Sequence, residues 1–218
     1  MKKYKTAFFV MMFSPLVLLV LAFGFLPERI PAHYGFDGAV TRYGSRLEVF
    51  IAPVLYIGFG LFMLSMAKFA RKQESGDSSD NEQVVVIAGI ASMFVFNALT
   101  LSSLYAAYRQ VDNLYAEVDL IRIMFTLVGL SLVIVGNVMP KLKRNSLMGL
   151  RTKWSLSSDE AWRKSQRFGG ITLAVTGILL AVGNVFLYSS WSLGLSTILI
   201  IISVIVSVIY SYRAAHTL

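Results

Sequence analysis

The chain has 218 residues, 56% of them hydrophobic and only 15% charged, with a mean hydropathy of +0.66. A soluble globular domain carries about 25% charged residues, so that class is excluded and an integral membrane protein is implied. The net charge is +8 and cysteine is absent, which removes disulfides, thiolate nucleophiles and Cys-based metal sites.

A helix crosses a hydrocarbon core of about 30 Å with about 20 apolar residues. Six such runs lie near 6–26, 49–67, 84–107, 120–139, 169–189 and 193–212. None has Asp, Glu, Lys or His in its middle third, where those side chains oppose insertion most. The first run follows the basic start Met1-Lys2-Lys3-Tyr4-Lys5, as a signal peptide's core would. It is too long for that role, and Leu26-Pro27-Glu28-Arg29 offers no small-residue cleavage site, so it is expected to stay as a membrane helix.

The first outer segment, 27–48, contains two prolines, three glycines and interleaved aromatics, which predicts a tight, folded turn assembly. His33 within it is a metal ligand, a pH-sensitive contact, a peptide-binding group, or a ring that stabilises the turn by bonding a loop carbonyl. A solitary His without a second His or thiolate is a poor basis for a transition-metal site, and no metal is expected. Asp37, Tyr34 and Tyr43 either complete a polar binding surface or cap the loop. The segment 68–83, polar and rich in Ser and Asp, reads as a flexible linker. In 108–119, Arg109, Asp112, Glu117 and Asp119 lie beside Tyr105, Tyr108 and Tyr115, and rings at this level mark the interfacial belt.

Inside the spans the polar residues are few: Asn97, Ser102, Ser103, Thr126, Ser131, Thr172, Thr176 and Asn184. Such residues join helices by hydrogen bonds. A proton-coupled transporter more often buries Asp, Glu or Lys. Signatures of zinc proteases, α/β-hydrolases and phosphate-binding loops are missing, so neither catalysis nor a cofactor is expected.

The segment 140–168 is the most basic part of the chain. Pro140 ends the fourth run, and Lys141, Lys143 and Arg144 stand where anionic headgroups would attract them. Ser157-Ser158-Asp159-Glu160 matches a capping box with Ser157 as the cap, followed by a short helix over about 158–168. With Arg163 and Arg167 on it, that helix is either an interfacial amphipathic helix or the entry into span five.

Basic residues are retained on the cytoplasmic side. With the N-terminus inside, the inner segments hold Lys2, Lys3, Lys5, Lys68, Arg71, Lys72, Lys141, Lys143, Arg144, Arg151, Lys153, Arg163, Lys164, Arg167 and Arg213, fifteen of the 20 cations. The outer segments hold Arg29, Arg42, Arg46, Arg109 and Arg122. The charge is therefore mainly a topology signal, and no direct nucleic-acid partner is expected, since no soluble basic groove or known binding fold accompanies it. The expected fold is an all-α polytopic bundle of six transmembrane helices with both termini in the cytoplasm. It divides into a two-span unit (1–67), a cytoplasmic linker (68–83) and a four-span unit (84–218).

At these motifs the chain resembles the SdpI-type bacterial immunity proteins in two places. The inner match is Gly136-Asn137, Pro140-Lys141, Asn145, Gly149, Arg151-Thr152, Trp154-Ser155-Leu156 and Trp162, running into Gly169-Gly170. The outer match is Ile30-Pro31, His33, Gly38 and Tyr43-Gly44-Ser45-Arg46, similar to an N-terminal domain of unknown function often found in these proteins. Lys153 departs from the proline expected between Thr and Trp. The resemblance implies a bacterial plasma-membrane protein that protects a producing cell from its own secreted, membrane-damaging peptide toxin. As in the best-known member, it also implies retention of a small autorepressor at the membrane. On that reading Pro31, His33, Tyr34, Asp37 and Gly38 meet an extracellular peptide, while Asn137, Pro140, Asn145, Gly149, Arg151, Trp154 and Trp162 form a cytoplasmic relay. The partners are then the lipid bilayer, an extracellular peptide toxin and a cytoplasmic repressor. Two other readings stand beside it: a small-molecule or peptide transporter or permease, and a non-catalytic structural membrane component.

Overall fold

The computed structural model describes residues 1–72, 80–115 and 120–216. Residues 73–79 of the linker, and Glu117 and Asp119 of the second outer segment, lie outside them. Six helices are long and apolar enough to cross a membrane: α1 (Lys2–Ala22), α2 (Ile51–Lys72), α3 (Asp80–Arg109), α4 (Leu120–Val138), α5 (Asp159–Phe186) and α6 (Ser189–His216). The chain is a polytopic all-α bundle. With no water in the hydrocarbon to serve backbone N–H and C=O groups, helices satisfy them internally, and every apolar run is accordingly helical.

Several helices outrun their apolar runs. α3 begins at Asp80, so Lys68–Lys72 close α2 and Asp80–Gln83 open α3, leaving only the middle of the 68–83 segment outside the described helices. Of the two readings of 158–168, the structure has the entry into span five: the stretch forms the first turns of a single helix, α5. Its bundle-facing residues are Ala161, Trp162, Ser165, Gln166, Gly169 and Gly170, while Arg163 and Arg167 stay exposed. The expected cap also moves by one residue. Ser158, extended at φ −151°, accepts from Ala161 N at 3.0 Å, whereas the Ser157 hydroxyl donates backwards to Trp154 O at 2.7 Å. Glu160 pairs with Lys164 at 2.9 Å on the helix surface and does not reach back. A complete capping box does occur, at Ser45 and Glu48, opening a 3₁₀ turn (Arg46–Phe50) that leads into α2.

α4 and α5 make the closest helix contact. Gly129 faces Gly177 and Gly136 faces Gly170, and a Cβ added at any of the four would lie 2.5–2.6 Å from the opposing glycine's carbonyl oxygen. The two contacts are two turns apart, so a stripe without side chains lets the backbones meet. Polar residues tie other pairs, as their placement in the spans predicts. Ser14 donates to Asn97 Oδ1, and the Asn97 amide donates to Met11 O, joining α1 to α3. Ser131 donates to Ala91 O, joining α4 to α3, and the Asn184 amide donates to Ser196 Oγ, joining α5 to α6. Phe8, Met12, Met63, Val85 and Met93 form the apolar core among the first three helices.

The 27–48 segment is more ordered than a turn assembly: it holds an antiparallel hairpin of β1 (Arg29–Tyr34) and β2 (Val40–Ser45). Arg29 pairs with Ser45, Ile30 with Gly44 and Pro31 with Tyr43, and the register slips between Pro31 and His33 and again before Tyr34. Those irregularities, with Pro31 and Gly44 inside the strands, blur the period-two alternation that marks a strand in sequence. Leu26 and Ile30 anchor the hairpin on Ala107 of α3.

Candidate functional site

The helix ends fall on two faces, and each face carries one of the motif segments. On the first face the hairpin closes through a glycine turn. Gly35 N donates to Ala39 O at 2.8 Å, Ala39 N donates to Asp37 Oδ1 at 3.1 Å, and Gly38 sits at φ +77°, a conformation that favours glycine. The segment following α3 then docks on it. Val40 N donates to Asp112 O at 3.0 Å and Leu114 N to Gly38 O at 2.9 Å. The Tyr43 hydroxyl donates to Asp112 Oδ1 (2.7 Å), Tyr115 to Phe36 O (2.9 Å) and Tyr34 to Val111 O (2.9 Å). Burial, and then the neighbouring Tyr43 and Asp112, push the Tyr34 hydroxyl up to about 12. The hydrogen bond to Asp112 likewise raises Tyr43. Arg42 grips Glu48 with two bonds of 3.1 and 2.7 Å, holding that carboxyl below its ordinary value.

Under the hairpin, between α1, α2 and α3, lies a cleft of about 290 Å³. Arg42 and Glu48 stand on one side, Leu19, Ala52 and Tyr56 supply apolar wall, and Thr100 and Ser103 add hydroxyls. An amphipathic chain matches this lining better than a fully polar or fully apolar one.

On the opposite face, the start of α3 gathers its neighbours. Glu82, 1% exposed, takes Lys5 of α1 at 2.6 Å and Arg71 of α2 at 3.4 Å. Asn81 Oδ1 accepts from Lys143 N at 2.9 Å, and Asp80 pairs with the Lys143 ammonium at 3.2 Å. The segment after Lys143 is built by side chains that replace missing backbone partners. Asn145 accepts from Leu147 N and Met148 N and donates to Lys143 O, each at 2.8 Å. The Gln166 amide, fully buried, accepts from Leu150 N at 2.9 Å and donates to Leu150 O at 3.0 Å. Gly149 beside it has φ +100°, and a Cβ there would lie 2.4 Å from Gln166 Oε1. Ser155, also buried, donates to Leu150 O at 2.7 Å and accepts from Thr152 N at 2.9 Å. The Trp162 indole donates to Leu142 O at 2.7 Å. Trp154 meets Tyr212 of α6 edge-on, ring centroids 5.2 Å apart.

The predicted outer residues therefore come together in one hairpin with distinct tasks. Pro31 lines the cleft. His33 is exposed, its Nδ1 2.6 Å from the Thr41 hydroxyl, Tyr34 and Asp37 hold the docking and the turn, and Gly38 makes the turn. Of the predicted inner residues, Asn145, Gly149 and Trp154 lie in one hydrogen-bonded loop, Trp162 of α5 bonds its start at Leu142 O, and Pro140 packs its ring on Gly170. Asn137 is exposed on α4, away from that loop, and Arg151 is exposed beside it. Sequence reading missed Glu82, Gln166, Ser155, Asp112 and Tyr115 as site residues. An acidic residue abutting the Val84–Val86 run was a visible signal for Glu82. Nothing local marks Asp112 and Tyr115, whose partners lie about 70 to 80 positions away. Among the described residues no group of three or more His, Asp or Glu could hold a metal ion.

Residues 141–211 match the model of the SdpI/YfhL protein family, and residues 10–57 match that of a domain of unknown function, DUF1648. These matches cover the inner segment with α5 and most of α6, and most of α1 with the hairpin and the start of α2. The Immunity protein SdpI of Bacillus subtilis (strain 168) is 27% identical over 214 residues, 98% of this chain and 96% of that protein. No solved structure matches the chain.

Proposed function

From the match of residues 141–211 to the SdpI/YfhL family and the 27% identity to an immunity protein over 98% of the chain, we propose that the chain is a member of that family and a membrane immunity protein that shields the cell carrying it from a secreted, membrane-active peptide. The near full-length similarity to a protein named for immunity supports the role. The observation that carries a mechanism is the single helix α3, whose one end holds the hairpin over the amphipathic cleft and whose other end holds the basic loop. The hairpin face lies outside and the loop face, with fifteen of the 20 cations, lies in the cytoplasm with both termini. A peptide that partitions into the outer leaflet reaches the cleft from the membrane and meets apolar wall, hydroxyls and the Arg42–Glu48 pair. No covalent step is needed. Sequestering the peptide protects the bilayer, and a bound peptide shifts the population of bundle packings only as far as it prefers one of them. The loop over 145–158 then presents Arg151 and Trp154 to a small cytoplasmic repressor.

The test is survival of cells exposed to the peptide while carrying variants at equal membrane abundance. Ala52→Trp, which fills the cleft, should sensitise the cells, and His33→Ala, outside it, should not. Full protection by the filled variant would remove the cleft from the account. Trp154→Ala should leave protection intact yet release a fluorescently tagged repressor from the membrane; a repressor that never leaves the cytosol when peptide is added ends the relay reading.

A further inference from the structure

The second cavity of the molecule, on the loop face, plays no part in the mechanism above. It measures about 250 Å³ and is walled by Val84 and Ala88 of α3, Val135 of α4, Leu173 of α5 and Val204 of α6, with Gly149 and Leu150 of the loop as its roof. Two serine hydroxyls, at 203 and 207, are its main polar side chains. α3 and α6 both pack on α4 or α5 but barely on each other, and this leaves a gap between them whose walls belong to the apolar spans. An apolar gap between membrane helices is complementary to a hydrocarbon chain.

The charge at its roof narrows the occupant further. Every described carboxylate on this face already has a cation: Asp80 has Lys143, Glu82 has Lys5 and Arg71, Asp159 has Arg144, and Glu160 has Lys164. Arg151 follows Leu150 directly, is exposed and enters none of these ion pairs. Next to it the Thr152 hydroxyl bonds Ser211, one turn beyond Ser207, which fixes this stretch at the mouth of the cleft. Lys153 lies over Trp154, 5.2 Å from its ring centre. An apolar slot ending in unmatched cations is complementary to an anion that carries a hydrocarbon tail.

We propose that the cleft between α3 and α6 binds one acyl chain of an anionic phospholipid, whose phosphate sits at Arg151 and Lys153. The site stands independently of the immunity reading. Each basic residue near a headgroup contributes about 1 kcal/mol, so two give a preference of roughly tenfold or more for phosphatidylglycerol over phosphatidylcholine.

The full chain, purified from equimolar vesicles of the two lipids and weighed by native mass spectrometry, should retain one phosphatidylglycerol per protein. Arg151→Gln should lower the preference about fivefold, and Ala88→Phe or Ser207→Phe, which fill the slot from opposite helices, should each abolish retention. A measurement that needs no filled variant uses the Trp154→Phe/Trp191→Phe chain, in which Trp162 alone fluoresces. Trp162 is 2% exposed and packs with Val84, Met139 and Leu142 beside the cleft. Phosphatidylglycerol with brominated chains should quench it at a mole fraction where brominated phosphatidylcholine does not. Equal retention and equal quenching by both lipids would mean annular lipid only and would overturn the proposal, as would undiminished retention in a folded filled variant.

Discussion

Replacing Gln166 with methionine tests whether the basic loop is held by one buried amide. Methionine nearly keeps the length and adapts to the space, so the change is chiefly the loss of two hydrogen bonds to Leu150. A net hydrogen bond is worth about 1 kcal/mol, and a buried group left without a partner costs about 1–3 kcal/mol. The two ends are unequal. Leu150 O keeps the Ser155 hydroxyl at 2.7 Å, whereas Gln166 Oε1 is the acceptor that Leu150 N uses. The sum is about 2–4 kcal/mol, or roughly 30- to several-hundred-fold in the opening equilibrium at tenfold per 1.4 kcal/mol. Hydrogen exchange by mass spectrometry, on protein in nanodiscs, reads this directly: peptides over 147–156 should exchange faster by that factor, and hairpin peptides over 29–45 should not change. Uniform acceleration in all peptides, or none over 147–156, would refute the view that Gln166 clamps this loop locally.

The chain's lack of cysteine makes its topology easy to test: Asp37→Cys should react with a membrane-impermeant maleimide on intact cells, and Ser157→Cys only after lysis. Gly170→Ala should destabilise the protein by about 1–3 kcal/mol in a denaturing-detergent titration, because its Cβ meets backbone and overpacking costs that much. Gly183→Ala, with nothing within 4 Å on the same helix, should be neutral or gain up to about 1 kcal/mol of helix propensity; equal midpoints would contradict the glycine contact. The Tyr34 phenol is raised from 10.0 to about 12, so the folded state binds its proton more tightly than the unfolded state does. The stability it contributes is full below pH 10 and is lost as pH rises towards 12. The difference spectrum between native chain and Tyr34→Phe should therefore titrate near 12, and a midpoint near 10 would mean the hydroxyl is not docked on Val111.

The spans and their alternation were legible because a bilayer imposes a long, simple pattern on composition. The interhelical role of Asn97, Ser131 and Asn184 was legible for a similar reason, since a polar side chain in hydrocarbon has few partners except another helix. What stayed hidden was mostly non-local. The hairpin was disguised by Pro31, Gly44 and two register slips, and the segment that docks on it lies beyond α3, where Tyr115 reads as an ordinary interfacial ring. The start of α5 at Asp159 lies within one residue of the helix expected from about 158, and its continuity with span five is the second of the two readings the sequence left open. Arg163 and Arg167 leave the helix on its exposed side while Ala161, Trp162, Ser165 and Gln166 continue the packed stripe down to Gly169 and Gly170. Ser157 and Ser158 are equally good caps by residue type, and only the Ser157 bond to Trp154 O decides between them.

The proposed function needs coupling between the two faces, and α3 is the element that joins them. α3 has thirty residues, about 45 Å at 1.5 Å per residue, and a continuous helix of that length tilts or slides far more readily than it stretches. On the proposed mechanism, a ligand wedged beside Thr100 and Ser103 against the hairpin would act on the far end by moving α3 as a unit. What resists there is Glu82 with Lys5 and Arg71, and Asn81 with the Lys143 backbone. Lys5 and Arg71 are partly exposed while Glu82 is not, so each pair falls between the at most ~1 kcal/mol of a surface ion pair and the ~3–5 kcal/mol lost when a buried one is broken. Coupling between sites typically amounts to 1–3 kcal/mol. On the proposed mechanism the peptide's coupling would have to be comparable with these pairs, and the first element a shift of Asn81 would disturb is the loop that begins at Lys143.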